Sequence, residues 1–502
     1  MGIISTTTSY ADADGVHEAH LFQRLANAVL YSDPALRPSS EVLSRGAFER
    51  SSLWSHGISG DLPIVLVRID EAEDVGIIRQ LLRAHEYWRL KQLSVDLVIL
   101  NEKPPSYEQE LQGILNGLVR ARRQGMASDP SGIHGDIFLL RGDLLTAQDR
   151  ALLQTAARAV LLSRHGSLAE QVLRSQRAEA AVPPVSRPRR PGNGADVPLN
   201  VPELELFNGL GGFADGGREY VIVLGEGLRT PAPWVNVIAN PTFGFLVSES
   251  GSGYTWALNS HENQLTPWSN DQVTDPPGEA LYIRDEDTGE VWSPTPLPVR
   301  DESSPYVARH GQGYSRFQHD SRGILTELLQ YVPVQDPIKI SRLVLENRSA
   351  RARRLSVTGY AEWVLGNSRG STAPYVVTEV DAQTGGLFAR SAWSGEFGGR
   401  IAFADLGGRQ TSWSGDRTAF LGRNGVPERP AALERGGPLS QRAGAGLDPC
   451  AALQTQLELR PGERVEIVFF LGQGESQDEA RELITRYRAA DLDEVLRVVT
   501  RR

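Results

Sequence analysis

The feature that most constrains the fold is a long succession of short, strand-like runs in the second half of the chain. Several runs alternate between two faces, as in Leu355–Leu365, where Leu355, Val357 and Trp363 share one face. Ten runs occur: Glu219–Leu224, Phe243–Glu249, Ala280–Arg284, Ser315–His319, Ile324–Val332, Ile338–Leu345, Leu355–Leu365, Arg400–Ala404, Leu453–Leu459 and Val465–Leu471. So many strands with one polar side predict a large antiparallel β-sandwich and not a small closed barrel.

The end of this region contains a predicted turn and a predicted helical segment. The sequence LQTQLELRPGERVEIVFFL predicts a β-hairpin that turns at Pro461-Gly462. Ser476 and Glu479 then match a capping box, and apolar residues recur after them at helical spacing: Ala480, Leu483, Ile484 and Tyr487. A second, shorter helical pattern runs from Leu492 to Val499. An apolar stripe normally packs on another element.

The first 175 residues predict a different architecture. A helical pattern at His17–Tyr31 is followed by apolar runs at Leu62–Ile69, Val95–Leu100 and Ile137–Arg141, which alternate with segments of helical periodicity. Strands that are apolar throughout, separated by amphipathic helices, indicate a mostly parallel sheet covered on both faces. The turns after these strands contain neither G-x-G-x-x-G nor G-K-[ST], so no nucleotide cofactor is predicted.

A change of composition separates these two regions. Residues 176–199 are rich in Pro, Arg and Gly and lack an apolar period, which is typical of a linker. The predicted organisation is an α/β domain at 1–175, this linker, a β-sandwich domain at 200–474 and a helical segment at 475–502.

Composition excludes several classes of partner and of location. The net charge of −10 disfavours a nucleic-acid partner, which needs a basic face for phosphates. No signal peptide is predicted at the N-terminus, and no run of about 18 apolar residues predicts a transmembrane segment. The single cysteine, Cys450, excludes an internal disulfide and fits a reducing, cytoplasmic compartment.

Aromatic and amide side chains concentrate in the segment WALNSHENQLTPWSN, which begins at Trp256. A sugar ring needs both kinds of group, because its C–H face stacks on an indole while its hydroxyls need paired hydrogen bonds. The segment therefore predicts a carbohydrate-binding surface, with two further polar partners on a neighbouring strand. The candidate residues are Trp256, Asn263, Trp268, Asn270, His310 and Arg316.

Each candidate residue has a structural alternative. The tryptophans could fill the core at one end of the sandwich, the asparagines could cap turns, and Arg316 could pair with Glu327. His310 and His319 lack a third ligand at a recognisable spacing, so no metal site is predicted. The carboxylates of Asp285–Asp287 fall at a predicted turn, where they would be solvated, and independent glycoside hydrolysis is disfavoured.

Several segments carry a resemblance to a known family: LWSHGISGDLPIVLVRI from Leu53, NGLGGFADGGREYVI from Asn208, TPAPWVNVIANPTFGFLVSESGSGYTWALNSHENQLTPWSND from Thr230 and RHGQGYSRFQHDSRGI from Arg309. They resemble the N-terminal supersandwich region of glycoside hydrolase family 94, most closely the corresponding segment of the cyclic β-1,2-glucan synthases. In that family the catalytic acid and most of the phosphate pocket lie in an (α/α)6 barrel that follows the sandwich. The resemblance implies that residues 475–502 are the start of the helical linker that leads to the barrel. No part of this sequence resembles the barrel itself, so no catalytic residue is assigned.

The resemblance implies binding of a glucan or oligosaccharide by the non-catalytic part of a phosphorylase or synthase. One alternative is an architectural scaffold for a catalytic barrel that is supplied separately or has been lost. Another is a truncated product without activity, and whether the chain is an enzyme stays open at this point. A barrel domain and a second copy of the chain are the protein partners that this interpretation implies.

Overall fold

The computed structural model describes residues 13–31, 33–45, 49–104, 110–126, 135–177 and 203–501. The chain divides into two compact units, Met1–Ala181 and Val182–Arg502. Residues 178–199 of the predicted linker lie outside the described residues. Within the described ranges, no helix combines the length and the apolar character needed to cross a membrane.

The first unit is built on a parallel sheet of strand order β3-β2-β1-β4. Every residue of its second strand, Asp96–Asn101, is buried, so both faces of the sheet are covered, as the continuous apolar runs predict. The elements are α1 (Ala13–Tyr31), α2 (Ser40–Arg45), β1 (Ile64–Ile69), α3 (Val75–Leu90), β2 (Asp96–Asn101), α4 (Glu110–Met126), β3 (Ile137–Arg141), α5 (Ala147–Ala156), β4 (Ala157–Leu162) and α6 (Leu168–Arg177).

The second unit begins with strands that supply all three of its antiparallel sheets. They are β5 (Gly211–Ala214), β6 (Glu219–Leu224), β7 (Val235–Ala239), β8 (Phe243–Ser248), β9 (Gly253–Ala257), β10 (Glu279–Asp285), β11 (Val291–Trp292), β12 (Tyr306–Gly311), β13 (Tyr314–Ser321), β14 (Ile324–Tyr331), β15 (Ile338–Asn347) and β16 (Arg353–Glu362). The remaining elements include short helices. They are α7 (Arg369–Thr372), β17 (Val377–Val380), β18 (Leu387–Arg390), β19 (Ile401–Asp405), β20 (Ser412–Asp416), α8 (Arg417–Leu421), α9 (Ala431–Arg435), β21 (Pro449–Leu459), β22 (Arg464–Gly474), α10 (Gln477–Ala489) and α11 (Leu492–Thr500).

These strands form a sandwich, which confirms the predicted fold class. The largest sheet has ten strands, in the order β17-β18-β19-β22-β15-β14-β13-β12-β6-β5. A five-stranded sheet, β11-β10-β16-β21-β20, and a three-stranded sheet, β7-β8-β9, complete the unit. One core joins them, with Phe317 from the largest sheet, Val357 from the second and Phe245 from the third. The alternation in β16 therefore places the predicted apolar face inward, while Tyr360 on its other face is buried beneath α8 and α9.

The prediction of a hairpin around Pro461-Gly462 is wrong. Strand β21 pairs with β16 and β20 in the five-stranded sheet, whereas β22 pairs with β15 and β19 in the ten-stranded sheet. The turn therefore crosses from one layer of the sandwich to the other. A tight Pro-Gly turn between two alternating runs is compatible with a hairpin within one sheet and with a crossing between two sheets. The local sequence does not distinguish the two connections.

Asn347 links two turns that cross from one layer of the sandwich to the other. Its buried Nδ2 donates to the backbone oxygens of Arg351 and Leu459, at 2.8 and 2.9 Å, and its backbone oxygen accepts from the amide of Gly462. These bonds tie the β15–β16 turn to the β21–β22 turn. A buried carbonyl that loses its donor cannot be solvated, so it costs stability.

We expect the Asn347→Ala variant to lose about 2–3 kcal/mol of unfolding free energy, because two carbonyl oxygens would be left without their donor. Urea denaturation followed by near-UV circular dichroism measures this loss. Gln272→Ala, a change at an exposed position, is the matched control and should change the midpoint little. Equal midpoints for the two variants would contradict the structural role of Asn347.

The predicted apolar stripe after the sandwich is present, but its partner differs from the expectation. Ala480, Leu483, Ile484 and Tyr487 are the buried residues of α10. They pack on the outer face of the ten-stranded sheet, against Phe388, Ile401, Phe403 and Phe470. The sheet itself therefore covers the stripe. The neighbouring helix α11 has no fully buried residue.

Candidate functional site

The outer face of the three-stranded sheet is unusually apolar and open. Alternate residues of β7 point away from the core, and Val235 and Val237 are 51% and 61% exposed. Val237 is the cross-strand partner of Leu246 in β8, and Leu246 is the cross-strand partner of Tyr254 in β9. Cross-strand partners of an antiparallel pair share a face of the sheet. These residues therefore form one surface.

A second row of cross-strand partners on this face continues beyond the sheet. Ala239 pairs with Gly244, Gly244 with Trp256, Trp256 with Gln264, and Gln264 with Gly366. We call these five residues the cross-strand row. Gln264 and Gly366 come from loops, so the row is wider than the three strands. At about 4.8 Å between neighbouring strands, it spans roughly 19 Å.

The row carries an aromatic platform, the ledge, formed by Tyr254, Trp256 and Trp268. The ring of Trp256 lies over Gly244, where an added Cβ would be 2.5 Å from the indole. Trp268 stacks on Tyr254 with centroids 5.2 Å apart and ring planes at 9°, and Tyr254 meets Trp256 at 5.2 Å. Trp268 is 49% exposed and Trp256 is half-buried. Tyr254 is buried beneath Trp268, so the outer face of Trp268 and part of Trp256 are the aromatic surfaces open to a ligand.

A buried polar network holds the ledge in place. The carboxylate of Glu279 accepts hydrogen bonds from the hydroxyls of Thr255 and Thr266, both at 2.6 Å, and pairs with Lys339 Nζ at 2.8 Å. Thr255 precedes Trp256, and Thr266 lies in the loop that leads to Trp268. Because all four groups are buried, each satisfies the polar atoms of the others.

The loop that follows Trp268 is stabilised by its own side chains. Asp271 Oδ1 accepts from the backbone amides of Val273 and Thr274, and Asp275 Oδ2 accepts from Ser248 Oγ at 2.6 Å. Burial raises the pKa of Asp275. Asn270 is exposed and has a left-handed backbone with φ of 51°, a conformation that asparagine tolerates. Its position beside Trp268 matches the predicted site.

Asn263 does not match the prediction of a sugar contact, because it is buried. It is 1% exposed, and its Nδ2 donates to the backbone oxygen of Ala257 at 2.9 Å and to Gln473 Oε1 at 2.8 Å. Gln473 Oε1 also accepts from Arg400 Nε at 3.0 Å. Asn263 therefore anchors the loop from below. The same amide composition that suits a sugar also suits a buried loop anchor.

His310 and Arg316 do not form the predicted pair of polar partners. His310 Nε2 donates to the backbone oxygen of Trp234 at 3.1 Å, and its Nδ1 accepts from Ser315 Oγ at 2.9 Å, so both ring nitrogens are used. Burial lowers the pKa of His310 to about 4, and the ring is neutral at pH 7.

Arg316 lies on the opposite face of the ten-stranded sheet from His310. Its neighbour Phe317 points into the core, and its cross-strand partners are Arg309 and Leu329. The alternative pairing with Glu327 is also absent from the described contacts, because Glu327 accepts from Gln318 Nε2 at 2.8 Å. Of the six candidates, Trp256 and Trp268 thus both contact Tyr254 in the ledge, and Asn270 lies two residues after Trp268 in the exposed loop.

A cleft of about 420 Å³ opens at the β7 end of the cross-strand row. It shares Ala239 with the row, and its volume is within the range of small-molecule sites. Its walls are Ile238, Ala239, Asn240, Pro241, Gln312, Gly313, Val332, Val334, Val499 and Thr500. In the described part of the chain, no group of three His, Cys, Asp or Glu side chains is arranged to hold a metal ion.

The six candidates did not include Tyr254 or four members of the cross-strand row, Ala239, Gly244, Gln264 and Gly366, although Gln264 lies in the amide-rich segment that predicted the site. Tyr254 alternates with Trp256 along β9, and that two-residue period was a readable signal. Gly366 is about a hundred residues from Gln264 in the chain, and only the tertiary pairing brings them together. The turn carboxylate Asp285 also differs from the expectation: it is buried and bonded twice by Arg353, at 2.9 and 2.5 Å.

Comparisons with known proteins identify the family. A family model described as the supersandwich domain of glycosyl hydrolase 94 matches residues 218–490. The cyclic β-(1,2)-glucan synthase NdvB of Rhizobium meliloti (strain 1021) is 38% identical over 484 residues, which are 94% of this chain and 17% of that protein. An N,N'-diacetylchitobiose phosphorylase of Vibrio proteolyticus is 29% identical over 276 residues, which are 54% of this chain and 34% of that enzyme.

A solabiose phosphorylase of Paenibacillus borealis is 29% identical over 286 residues, which are 56% of this chain and 37% of that enzyme. This chain therefore spans between about a sixth and about a third of the length of these relatives. The family model covers more than half of the chain. The chain thus belongs to the glycosyl hydrolase 94 family, and residues 218–490 form its supersandwich domain.

Proposed function

We propose that this chain is the glucan-binding, non-catalytic part of a glucan-processing protein. The cross-strand row with its ledge carries the proposal, since it places the exposed Trp268 and the half-buried Trp256 beside the side-chain amide of Gln264. The ledge would stack on the C–H face of a sugar ring, and the amides of Gln264 and Asn270 would bond to its hydroxyls. β-1,2-Glucan is the ligand that we propose, because a cyclic β-(1,2)-glucan synthase is similar over most of this chain.

The chemistry of Gln264 supports this assignment. Its side chain is 9% exposed and makes no hydrogen bond to any described residue. Because Gln264 and Trp256 are cross-strand partners, the amide and the indole share one face. An amide that keeps its donors and acceptor unused beside an aromatic platform suits a ligand with many hydroxyl groups.

The test is a calorimetric titration of linear β-1,2-glucan onto the purified chain, repeated with Trp268→Ala. We expect saturable binding by the unchanged protein and at least about tenfold weaker binding by the variant. The exposed half of a tryptophan presents roughly 100 Å² of apolar area, whose burial contributes about 2 kcal/mol. Tryptophan fluorescence should change on binding, because the ledge rings would lose contact with water.

The matched control is Trp54→Ala, which removes a tryptophan that is 64% exposed in the first unit. It should bind glucan like the unchanged protein. No saturable heat or fluorescence change in the unchanged protein would refute the proposal. Equal affinities for Trp268→Ala and Trp54→Ala would show that glucan binds elsewhere.

A second candidate function is architectural. The exposed Val235 and Val237 favour it, because an apolar sheet face also suits packing against another polypeptide. Under this alternative the face supports a catalytic domain and has no affinity for sugar. The same titration separates the two functions, since a scaffold gives no saturable signal with glucan.

A further inference from the structure

The far end of the cross-strand row meets a second aromatic pair. Trp393 and Tyr375 stack with centroids 4.2 Å apart and ring planes at 17°, and both are half-buried. An added Cβ on Gly366, the last member of the row, would lie 3.4 Å from Ser394 Oγ. Ser394 follows Trp393 directly. The row therefore begins near Ala239, passes the ledge and ends beside this pair.

A chain of hydrogen bonds links the loop beneath the ledge to the segment that follows Trp393. Asn263, beneath the ledge loop, donates to Gln473, and Gln473 accepts from Arg400, in the segment that follows Trp393. Asn263 and Gln473 are buried. Two cross-strand steps separate Trp256 from Gly366, which is roughly 10 Å. A ligand that touches both aromatic groups would meet a preorganised surface, which lowers the entropic cost of binding.

We propose that the Tyr375–Trp393 pair is a second sugar-stacking platform, so that the site takes an oligosaccharide chain and not a single sugar or a disaccharide. This inference rests on the proposed function and adds the length of the ligand to it. Gln264 lies between the two platforms and would bond to the sugar that bridges them. An added Cβ on Gly366 would also lie 2.6 Å from Thr372 Cγ2, so Gly366 is the close-packed end of the row.

The test compares a β-1,2-linked glucose disaccharide with a series of longer β-1,2-oligosaccharides by calorimetry. We expect the affinity of the unchanged protein to rise at least about tenfold along the series and then level off. Trp393→Ala should bind the disaccharide like the unchanged protein and lose that gain. Trp268→Ala should weaken binding at every length, and Trp54→Ala should reproduce the unchanged protein.

A second variant protects the test against misfolding of Trp393→Ala. Ser394→Leu keeps the aromatic pair and adds bulk between that pair and Gly366, so it should also remove the gain with length. Thermal unfolding identifies a variant whose fold has changed. The comparison then uses the other variant. An unaltered gain in a folded Trp393→Ala or Ser394→Leu overturns the second platform while leaving the ledge intact. Absence of binding at every length overturns both the proposed function and the platform.

Discussion

The Lys339→Met variant is expected to lose about 3–5 kcal/mol of unfolding free energy, because it leaves the buried carboxylate of Glu279 without its cation. Lys339 is 3% exposed, and its Nζ lies 2.8 Å from Glu279 Oε2. Water cannot replace the ammonium group at this depth. The hydroxyls of Thr255 and Thr266 would remain as the only donors to the carboxylate. Urea denaturation followed by near-UV circular dichroism measures the loss.

Two further variants show whether the cost comes from the unpaired charge. The double change Glu279→Gln with Lys339→Met removes both charges and keeps an acceptor for the threonine hydroxyls, so we expect it to recover a large part of the lost stability. Arg429→Gln breaks a pair whose arginine side chain is 73% exposed, and it should cost less than about 1 kcal/mol. A Lys339→Met variant as stable as Arg429→Gln would contradict the buried pair.

Acidification is expected to destabilise the second unit between about pH 6.5 and pH 4, because His310 and His319 are buried as neutral rings. Burial lowers the pKa of each to about 4 from the ordinary value of 6.5. In this window the unfolded chain binds protons that the folded chain excludes. Stability is therefore complete above pH 6.5 and is lost as the pH falls. Each histidine contributes roughly 3 kcal/mol.

A variant isolates this contribution from that of the carboxyl groups. His319 stacks on Tyr306 with centroids 3.6 Å apart, and phenylalanine can keep that contact. We expect His319→Phe to lose about 3 kcal/mol less stability than the unchanged protein between pH 7 and pH 4. His261→Gln, a change at an exposed side chain, is the matched substitution control. Parallel profiles for His319→Phe and the unchanged protein would show that His319 is not the acid-sensitive group.

Asp301 and Glu249 affect the unfolding free energy either below this pH window or in the opposite direction from the histidines. Asp301 has its pKa lowered to about 2 by its hydrogen bonds and Arg322, although burial opposes the shift, so its contribution is lost only as the pH falls below about 3.8. Burial raises the pKa of Glu249. A raised carboxyl pKa favours the folded state as the pH falls, so Glu249 partly offsets the histidines. The difference between two variants is thus more informative than a single profile.

The local sequence was enough to predict most elements of the fold. The apolar runs of the first unit predict a covered parallel sheet because each strand is buried on both faces, and β2 is buried along its whole length. The alternation in β16 and the stripe of α10 likewise predict which side chains are buried. Resemblance of the segments around Trp256 and His310 to a family predicted the supersandwich, which the family model matches.

The candidate site was predicted only in part. Trp256 and Trp268 both contact Tyr254, but Asn263 and His310 are buried with their polar atoms used by the protein. Residue type alone does not separate an amide that meets a ligand from one that anchors a loop. Both need the same donors and acceptors, and only burial distinguishes them. Whether the resulting ledge binds sugar is a proposal that the titrations above test.

The sequence by itself determined where strands and helices form and which face of each is apolar, since both depend on periods of two or about 3.6 residues within one short segment. Only the tertiary structure decided which strands become neighbours, because pairing depends on contacts between distant parts of the chain. That is why β21 and β22 lie in different sheets, and why Trp256, Gln264 and Gly366 form one row although a hundred residues separate the last two.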